Sequence, residues 1–315
     1  MNGAWFRVTA ALAMAGALAG CGDDHTHDVD SGHVHGHDAS DPDGFGADAQ
    51  VVDAGPSGVD IRFAGKVGSE AFSCAGSYPG LGTTQRTWRP IDFRFYVHNV
   101  RLLRGDGSEV PVTLSDDGVW QDGTVALVDF EDRTGGCSNG TGPTNNVVRG
   151  ALPAGAAGPW AGLRFTLGVP FAANHQNSAT AGSPLNLSTL WWNWQGGYKF
   201  LRLDGRVDDA AGAMLQASFN IHVGSTGCDG SAMGGVTRCA EPNRAEVTLM
   251  NFDPAANTVV ADLARLVADT DIGANAGGAP GCMSGLTDPE CATILRGLGI
   301  TVGATPGAQT FFRVE

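Results

Sequence analysis

The chain has 315 residues, 42% of them hydrophobic, with 33 acidic against 19 basic side chains and a formal net charge of -14. A chain this acidic with no basic cluster excludes a nucleic-acid surface, and no segment after the leader is long and apolar enough to span a bilayer. The length leaves room for one large domain with a substantial core.

The first element is a leader. Arg7 precedes an apolar run from Val8 to Ala19, too short to cross a membrane comfortably, so residues 1–20 read as a signal peptide. The run ends in Leu18, Ala19, Gly20 and Cys21, which resembles the lipobox of bacterial lipoproteins; the resemblance implies lipidation of Cys21. Gly22 stands where an aspartate would signal inner-membrane retention, so the expectation is an outer-membrane lipoprotein facing the periplasm or the cell surface, held to the membrane by its lipid anchor only.

Residues 21–58 form the second element. From Gly22 to Asp60 there are ten aspartates, five histidines and no lysine or arginine, a composition that cannot bury enough apolar surface to fold. Ten of the 33 acids lie in this stretch, which leaves 23 against 18 bases in the body and makes the net charge mostly a property of the tail. Extended, such a tether reaches on the order of 100 Å. Its His25, His27, His33, His35 and His37 stand in His-x-His steps among carboxylates, a loose collector for Cu(II), Ni(II) or Zn(II) or simply part of a polar spacer.

Residues 59–315 read as one mainly β domain, an antiparallel, immunoglobulin-like β-sandwich with a few short helices and disulfide-stapled loops. Period-two alternation marks Ile61 and Phe63, then Ile91, Phe93, Phe95 and Val97, then Leu163, Phe165, Leu167 and Val169, then Phe219, Ile221 and Val223. Further strands are expected at Glu109–Leu114, Val125–Phe130, Tyr198–Leu203 and Arg244–Phe252, with Gly105, Asp106 and Gly107 as a hairpin turn. Two helices are expected. One covers Val259–Val267; the other is capped by Asp288, starts at Pro289 and turns Ile294, Leu295 and Leu298 inward.

Besides Cys21 there are six cysteines, Cys74, Cys137, Cys228, Cys239, Cys282 and Cys291, and in an exported chain disulfides are the default reading. Fifteen pairings are open. Cys228 with Cys239 and Cys282 with Cys291 are near enough to close small loops, which would leave Cys74 with Cys137. No Cys-x-x-Cys pair favours a thiolate metal site.

Chemistry concentrates in two features. Trp191, Trp192 and Trp194 stand within four positions, followed by Gly196, Gly197 and Tyr198, an excess of indole that packing alone seldom requires. Ser188 can cap a single turn that places Trp191 and Trp194 on one face, whereas an extended reading pairs Trp192 with Trp194. The body's three histidines are the second feature. His98 alternates with Asp92, Arg94 and Tyr96 on the face opposite the apolar stripe; His175 follows a loop string; His222 lies opposite Phe219, Ile221 and Val223. Asp129, Glu131 and Asp132 form an acidic group that suits either a calcium ion or the neutralisation of Arg94 or Arg133. Ser225 lacks the spacing of a nucleophile elbow, and no zincin or phosphate-loop motif is present, so the chain reads as a binding protein rather than an enzyme.

The strings Asp92-Phe93-Arg94-Phe95-Tyr96-Val97-His98, Leu127 to Asp132, Gly168-Val169-Pro170-Phe171 with Asn174-His175, the tryptophan cluster, and His222 to Cys228 together resemble the MbnP-like family of methanobactin operons, also called metallo-mystery pair four-Cys motif proteins. The resemblance runs in order from about Ile61 to Phe312. It implies an exported copper-binding protein that is the substrate of a di-haem partner related to bacterial cytochrome c peroxidases, which converts a tryptophan to kynurenine. The matching positions are Trp191, Trp192 and Trp194 for the modified or partner-facing residues and His98, His175 and His222 for the copper ligands. Imidazole suits copper in both oxidation states, and an aryl amine from an opened indole would add a nitrogen donor. The rival expectation is a metal-free lipoprotein that binds a glycan or protein through its tryptophan patch, with Asn193, Gln195 and Lys199 beside it. A third is a zinc or nickel collector built mainly on the tail.

Overall fold

The computed structural model describes residues 55–285 and 287–315; the signal peptide, Cys21 and the five tail histidines lie outside the described residues. Two large sheets carry the domain. In the first, the strands run in the order Phe312–Val314, Val259–Asp262, Ser57–Val67, Val147–Leu152 and Thr113–Leu114, with Glu70–Ala71 folded back on Ser57–Val67. In the second, the order is Ala245–Met250, Gly162–Leu167, Arg86–Leu103, Leu201–Asp208, Met214–Val223 and Gly281–Cys282, with Tyr78–Leu81, Glu109–Pro111 and Ala126–Asp129 also paired to Arg86–Leu103.

The expected sandwich is present, and its core is the alternation read from the sequence. Phe63 of the first sheet meets Phe95 and Phe165 of the second edge to face, at centroid distances of 5.7 and 5.8 Å, and Phe312 closes on Phe165 at 5.1 Å. Each such ring, fully buried, contributes about 2 to 3 kcal/mol of transfer free energy. Leu163, Leu203, Phe219, Ile221 and Val247 complete the layer. Most pairings are antiparallel; two are parallel, Ser57–Val67 with Val259–Asp262 and Met214–Val223 with Gly281–Cys282.

The 18-residue strand Arg86–Leu103 is the axis of the second sheet. It is rich in aromatic and β-branched residues, and its single proline, Pro90, lies opposite Gly205 at a register shift. A Cβ on Gly205 would lie 1.8 Å from Trp88 Nε1, so only glycine lets the indole lie flat on the neighbouring strand.

Three local expectations are corrected. Val259–Val267 is not one helix: Val259–Asp262 is a strand, and Asp262 Oδ1 then accepts from Ala264 N at 3.1 Å to start the short helix Leu263–Leu266. Three successive β-branched or small residues next to an open strand edge outweighed the 3.6-residue spacing. Glu109–Leu114 divides between the two sheets as Glu109–Pro111 and Thr113–Leu114. Tyr198–Leu203 also divides, into Gly197–Tyr198 and the strand that begins at Leu201. The helix expected from Pro289 is present but starts later, as Cys291–Gly297 with Glu290 and not Asp288 at its cap, and with Ile294, Leu295 and Leu298 buried.

The disulfides are Cys74–Cys137, Cys228–Cys239 and Cys282–Cys291. The last ties the edge strand Gly281–Cys282 to helix Cys291–Gly297. Cys228–Cys239 spans a separate two-stranded hairpin, Thr226–Ser231 with Gly235–Glu241.

Candidate metal centre

The face of the second sheet turned away from the phenylalanine core is also buried. Asp92, Arg94 and Tyr96 are at most 1% exposed, because a second apolar cluster of Tyr96, Val125, Leu127, Val169, Leu185, Leu190, Tyr198 and Phe200 forms over them. Alternation correctly put these side chains opposite the core, but this face is roofed by loops.

Charges under that roof form a continuous chain. Arg94 donates from Nε to Asp92 Oδ1 at 2.9 Å and from Nη2 to Asp92 Oδ2 at 2.5 Å, and its Nη1 lies 3.3 Å from Glu131 Oε1. Arg202 bridges Asp92 Oδ2 at 3.1 Å and Asp204 Oδ2 at 2.8 Å; Asp204 Oδ1 in turn faces His222 Nε2 at 2.8 Å. Burial drives the Asp129 carboxyl up to about 7 despite the pull of Arg94. Burial pushes Asp204 the same way, but there His222 and Arg202 outweigh it and hold the carboxyl below its usual value. The acidic group therefore serves Arg94; Asp132 instead turns outward and accepts from Thr134 N at 3.0 Å.

The histidines enter this layer through hydrogen bonds that fix their tautomers. Gly168 N donates to Tyr96 O at 2.8 Å, which pins the Gly168–Pro170 loop to the long strand, and His98 Nδ1 donates to Gly168 O at 2.8 Å. In the neutral ring Nε2 then carries the lone pair. The loop continues as the one-turn helix Phe171–Asn174, with His175 at its C-terminal end. Buried Asn174 accepts from Tyr198 N through Oδ1 at 3.0 Å, so its Nδ2 must be the donor to His175 Nε2 at 3.2 Å. His175 Nδ1 therefore bears the proton and donates to Trp194 O at 3.3 Å. Burial is the main cause that lowers both His98 and His175 from their usual values; the hydrogen bonds to Gly168 and Trp194 oppose it, and Arg244 adds to it in both cases. Arg244 itself donates to Val169 O at 2.7 Å with its guanidinium over Phe171 and Phe200. His222 is mostly buried, with Nε2 2.8 Å from Asp204 Oδ1 but in hydrogen-bond geometry with no group.

The tryptophan segment is a miniature two-stranded ribbon. A 3-10 turn, Ser188–Leu190, precedes Trp191–Asn193, which pairs with Gly197–Tyr198. The single turn is present, with Leu187 and not Ser188 at its cap, and stops short of the tryptophans. Trp191 and Trp192 are extended, whereas Trp194 lies in the turn, so the expected pairing of Trp192 with Trp194 along one strand is not formed. Trp191 packs on the second cluster with its indole N-H buried and unpartnered. Trp192 lies against Gly224, where a Cβ would come within 2.6 Å of the indole and 2.5 Å of Tyr198 O. It also lines an open cleft of about 570 Å³ with Asn193, Gln195, Thr226, Cys228 and Met283. Trp192 and Trp194 are both half-buried, within reach of a partner.

One hydrogen bond from His175 and one to Asn174 thus join this loop to the ribbon, and His98 makes one to the start of the same loop. His98 and His175 are each held as neutral imidazoles, nitrogen donors of the kind that copper accepts. His222 is brought to the same layer but on the Asp204 side. Among the described residues, the group of three histidine, cysteine or carboxylate donors within 4.8 Å of one another is His175 with Cys228 and Cys239, not the three histidines. Sequence reasoning missed Asp204 and Arg202. Their signal was the alternation of Arg202, Asp204, Arg206 and Asp208 opposite Leu201 and Leu203.

Fold and site define an all-β, disulfide-stapled domain with imidazoles set beneath an aromatic ribbon. A family profile described as MbnP matches residues 56–284. A solved structure, MbnP from Methylosinus trichosporium, is similar at 30% identity with a TM-score of 0.69, covering 82% of this chain and 98% of that one. The chain belongs to the MbnP family. Comparison with curated proteins finds no match.

Proposed function

We propose that this is an exported, lipid-anchored copper-binding protein, and that its tryptophan ribbon is the substrate of a di-haem partner related to bacterial cytochrome c peroxidases. The partner converts one tryptophan of Trp191, Trp192 and Trp194 to kynurenine. The observation that carries the reading is the bond from His175 Nδ1 to Trp194 O, which aims a neutral imidazole while tethering it to the segment to be rewritten. Opening an indole leaves an aryl amine, a nitrogen donor beside nitrogens already in ligand form.

In this reading His98 and His175 offer Nε2, and His222 is the third imidazole. Gly168 O and Trp194 O orient the His98 and His175 rings, as outer hydrogen-bond partners of metal-binding histidines do, and Asp204 lies 2.8 Å from the His222 ring. Copper supplies a redox-active, nitrogen-loving centre. The protein's part is to hold the imidazoles neutral and to leave the ribbon half-exposed for electron removal by the partner. The glycan reading draws less support, since its polar groups are committed internally. Asn193 Oδ1 accepts from Gln195 N and Gly196 N, Gln195 Nε2 donates to Cys228 O, and Lys199 Nζ donates to Thr189 O.

Mass spectrometry of the peptide containing Trp191 to Trp194, after expression with and without the di-haem partner, tests the reading. The expected result is a kynurenine mass only with the partner, accompanied by copper retention that His98→Ala or His175→Ala abolishes. An unmodified peptide under both conditions rejects it.

A further inference from the structure

The three disulfides occupy unequal positions. Cys74, Cys137, Cys282 and Cys291 are at most 2% exposed. Cys228–Cys239 instead crosses an otherwise exposed hairpin: Cys239 is half-buried, and Cys228 lines the open cleft beside Trp192 and Met283. Cys74 also borders a cleft, but Cys228–Cys239 has the half-buried sulfur-bearing residue, Cys239, and is the bond a small dithiol reaches most readily.

The same bond faces His175. Cys239 Sγ lies 3.6 Å from His175 Nε2, and the imidazole nitrogen and both sulfurs all fall within 4.8 Å of one another. The tautomer derived above leaves the lone pair on that nitrogen, where it accepts from Asn174 Nδ2 with the sulfurs alongside. Joined to each other, the sulfurs are poor donors. Freed, they become two thiolates next to a neutral imidazole, a donor set for Zn(II), Cd(II) or Cu(I) with bonds of about 2.0 to 2.3 Å.

We propose that Cys228–Cys239 is a latent ligand pair, and that its reduction creates a Cys2His site for a soft or borderline metal ion on Cys228, Cys239 and His175. One dithiol breaks the S–S bond, donates two electrons and two protons to the two cysteines, and leaves as its own disulfide. The metal then displaces the two thiol protons, and it displaces Asn174 Nδ2 from His175 Nε2. The hairpin needs no refolding, because Cys228 and Cys239 are direct cross-strand partners and the sulfurs separate by side-chain rotation. The site shares His175 Nε2 with the copper site proposed above, so the two are alternatives: oxidised protein would bind copper through imidazoles, and reduced protein would bind its ion through Cys228, Cys239 and His175.

The test uses the full-length protein and Cd2+ as probe. After mild anaerobic dithiothreitol treatment and removal of the reductant, alkylation is expected at Cys228 and Cys239 and not at the other four body cysteines. Without alkylation, roughly one Cd2+ per chain should bind with a sulfur-to-cadmium charge-transfer band. The band should be absent in oxidised protein and in Cys228→Ser/Cys239→Ser, and His175→Ala, with its cysteines intact, should weaken binding by about tenfold or more. No band in reduced wild type, an undiminished band in the double serine variant, or unchanged affinity in His175→Ala would overturn the proposal. The kynurenine measurement is made on oxidised protein, so the two proposals fail separately.

Discussion

Around the long strand both faces of the second sheet are buried, and they are built on different chemistry. Toward the first sheet, Phe93, Phe95, Phe165, Leu203 and Ile221 pack ring on ring. Away from it, Asp92, Arg94, Arg202, Asp204 and His222 form an ion chain under a roof of loops and a small apolar cluster. The first face is stabilised by area alone and tolerates repacking. The second is stable only while each buried charge keeps its partner, which makes it directional and able to hold an imidazole in one orientation. That contrast explains why the candidate metal centre stands on the outer face.

The largest expected effects compare the two faces directly. Phe95→Ala should cost about 3 to 5 kcal/mol through lost transfer and a cavity. Arg94→Ala should cost a similar 3 to 5 kcal/mol for another reason, the stranding of Asp92 and Glu131. Denaturant unfolding of double variants separates the causes. Adding Asp92→Asn and Glu131→Gln should recover much of the Arg94→Ala loss, whereas no polar change should rescue Phe95→Ala. Equal behaviour in both series would erase the distinction.

Asp129 sharpens it with pH. Its folded value of about 7 stands above the 3.8 of the unfolded chain, so between those values the native state holds a proton that the unfolded state has released. Stability contributed by this group is therefore greatest below about pH 4, falls as pH rises through the window, and levels off above about 7. Asp129→Asn removes that titration while keeping a partner for Thr141 Oγ1. The variant should gain on wild type as pH increases from about 4 to 7, read from melting temperatures across that range. A constant offset would mean that the Asp129 carboxyl is ionised in the fold throughout.

Gly224→Ala should act where the roof meets the ribbon. Its new methyl would collide with Trp192 and the Tyr198 carbonyl, so a loss of about 1 to 3 kcal/mol is expected together with a shifted tryptophan emission. Unchanged emission would show that the indole is not held against this glycine.

How much of this was legible follows the same division. The phenylalanine face could be read because a sheet's period of two writes itself into Phe93, Phe95 and Val97. Side-chain direction was legible for Asp92, Arg94 and Tyr96, but burial was not, since the roof comes from residues far along the chain, Gly168 to Asn174 and Pro184 to Phe200. Tyr96 Oη, for example, donates to Pro184 O at 2.9 Å, 88 residues away. The strand at Val259 failed for a related reason: its partner Ser57–Val67 lies almost two hundred residues earlier, so local spacing carried no trace of it. Cysteine proximity suggested two small loops, yet nothing in it placed Cys239 beside His175.

The smallest expected effect belongs to Asn193, which the sequence offered only as a neighbour of the tryptophan patch in the glycan-or-protein reading. Its Oδ1 accepts from Gln195 N at 2.9 Å and Gly196 N at 2.7 Å, the side-chain turn by which asparagine reverses a chain. Asn193→Ala should therefore lower global stability by no more than about 1 kcal/mol while speeding amide hydrogen exchange of Gln195 and Gly196. Asn193→Asp keeps the accepting oxygen and should exchange as slowly as wild type. If both variants instead left exchange unchanged, the ribbon would owe its reversal to the Trp191–Tyr198 pairing alone. The ion chain beneath would then position the histidines without help from the turn above it.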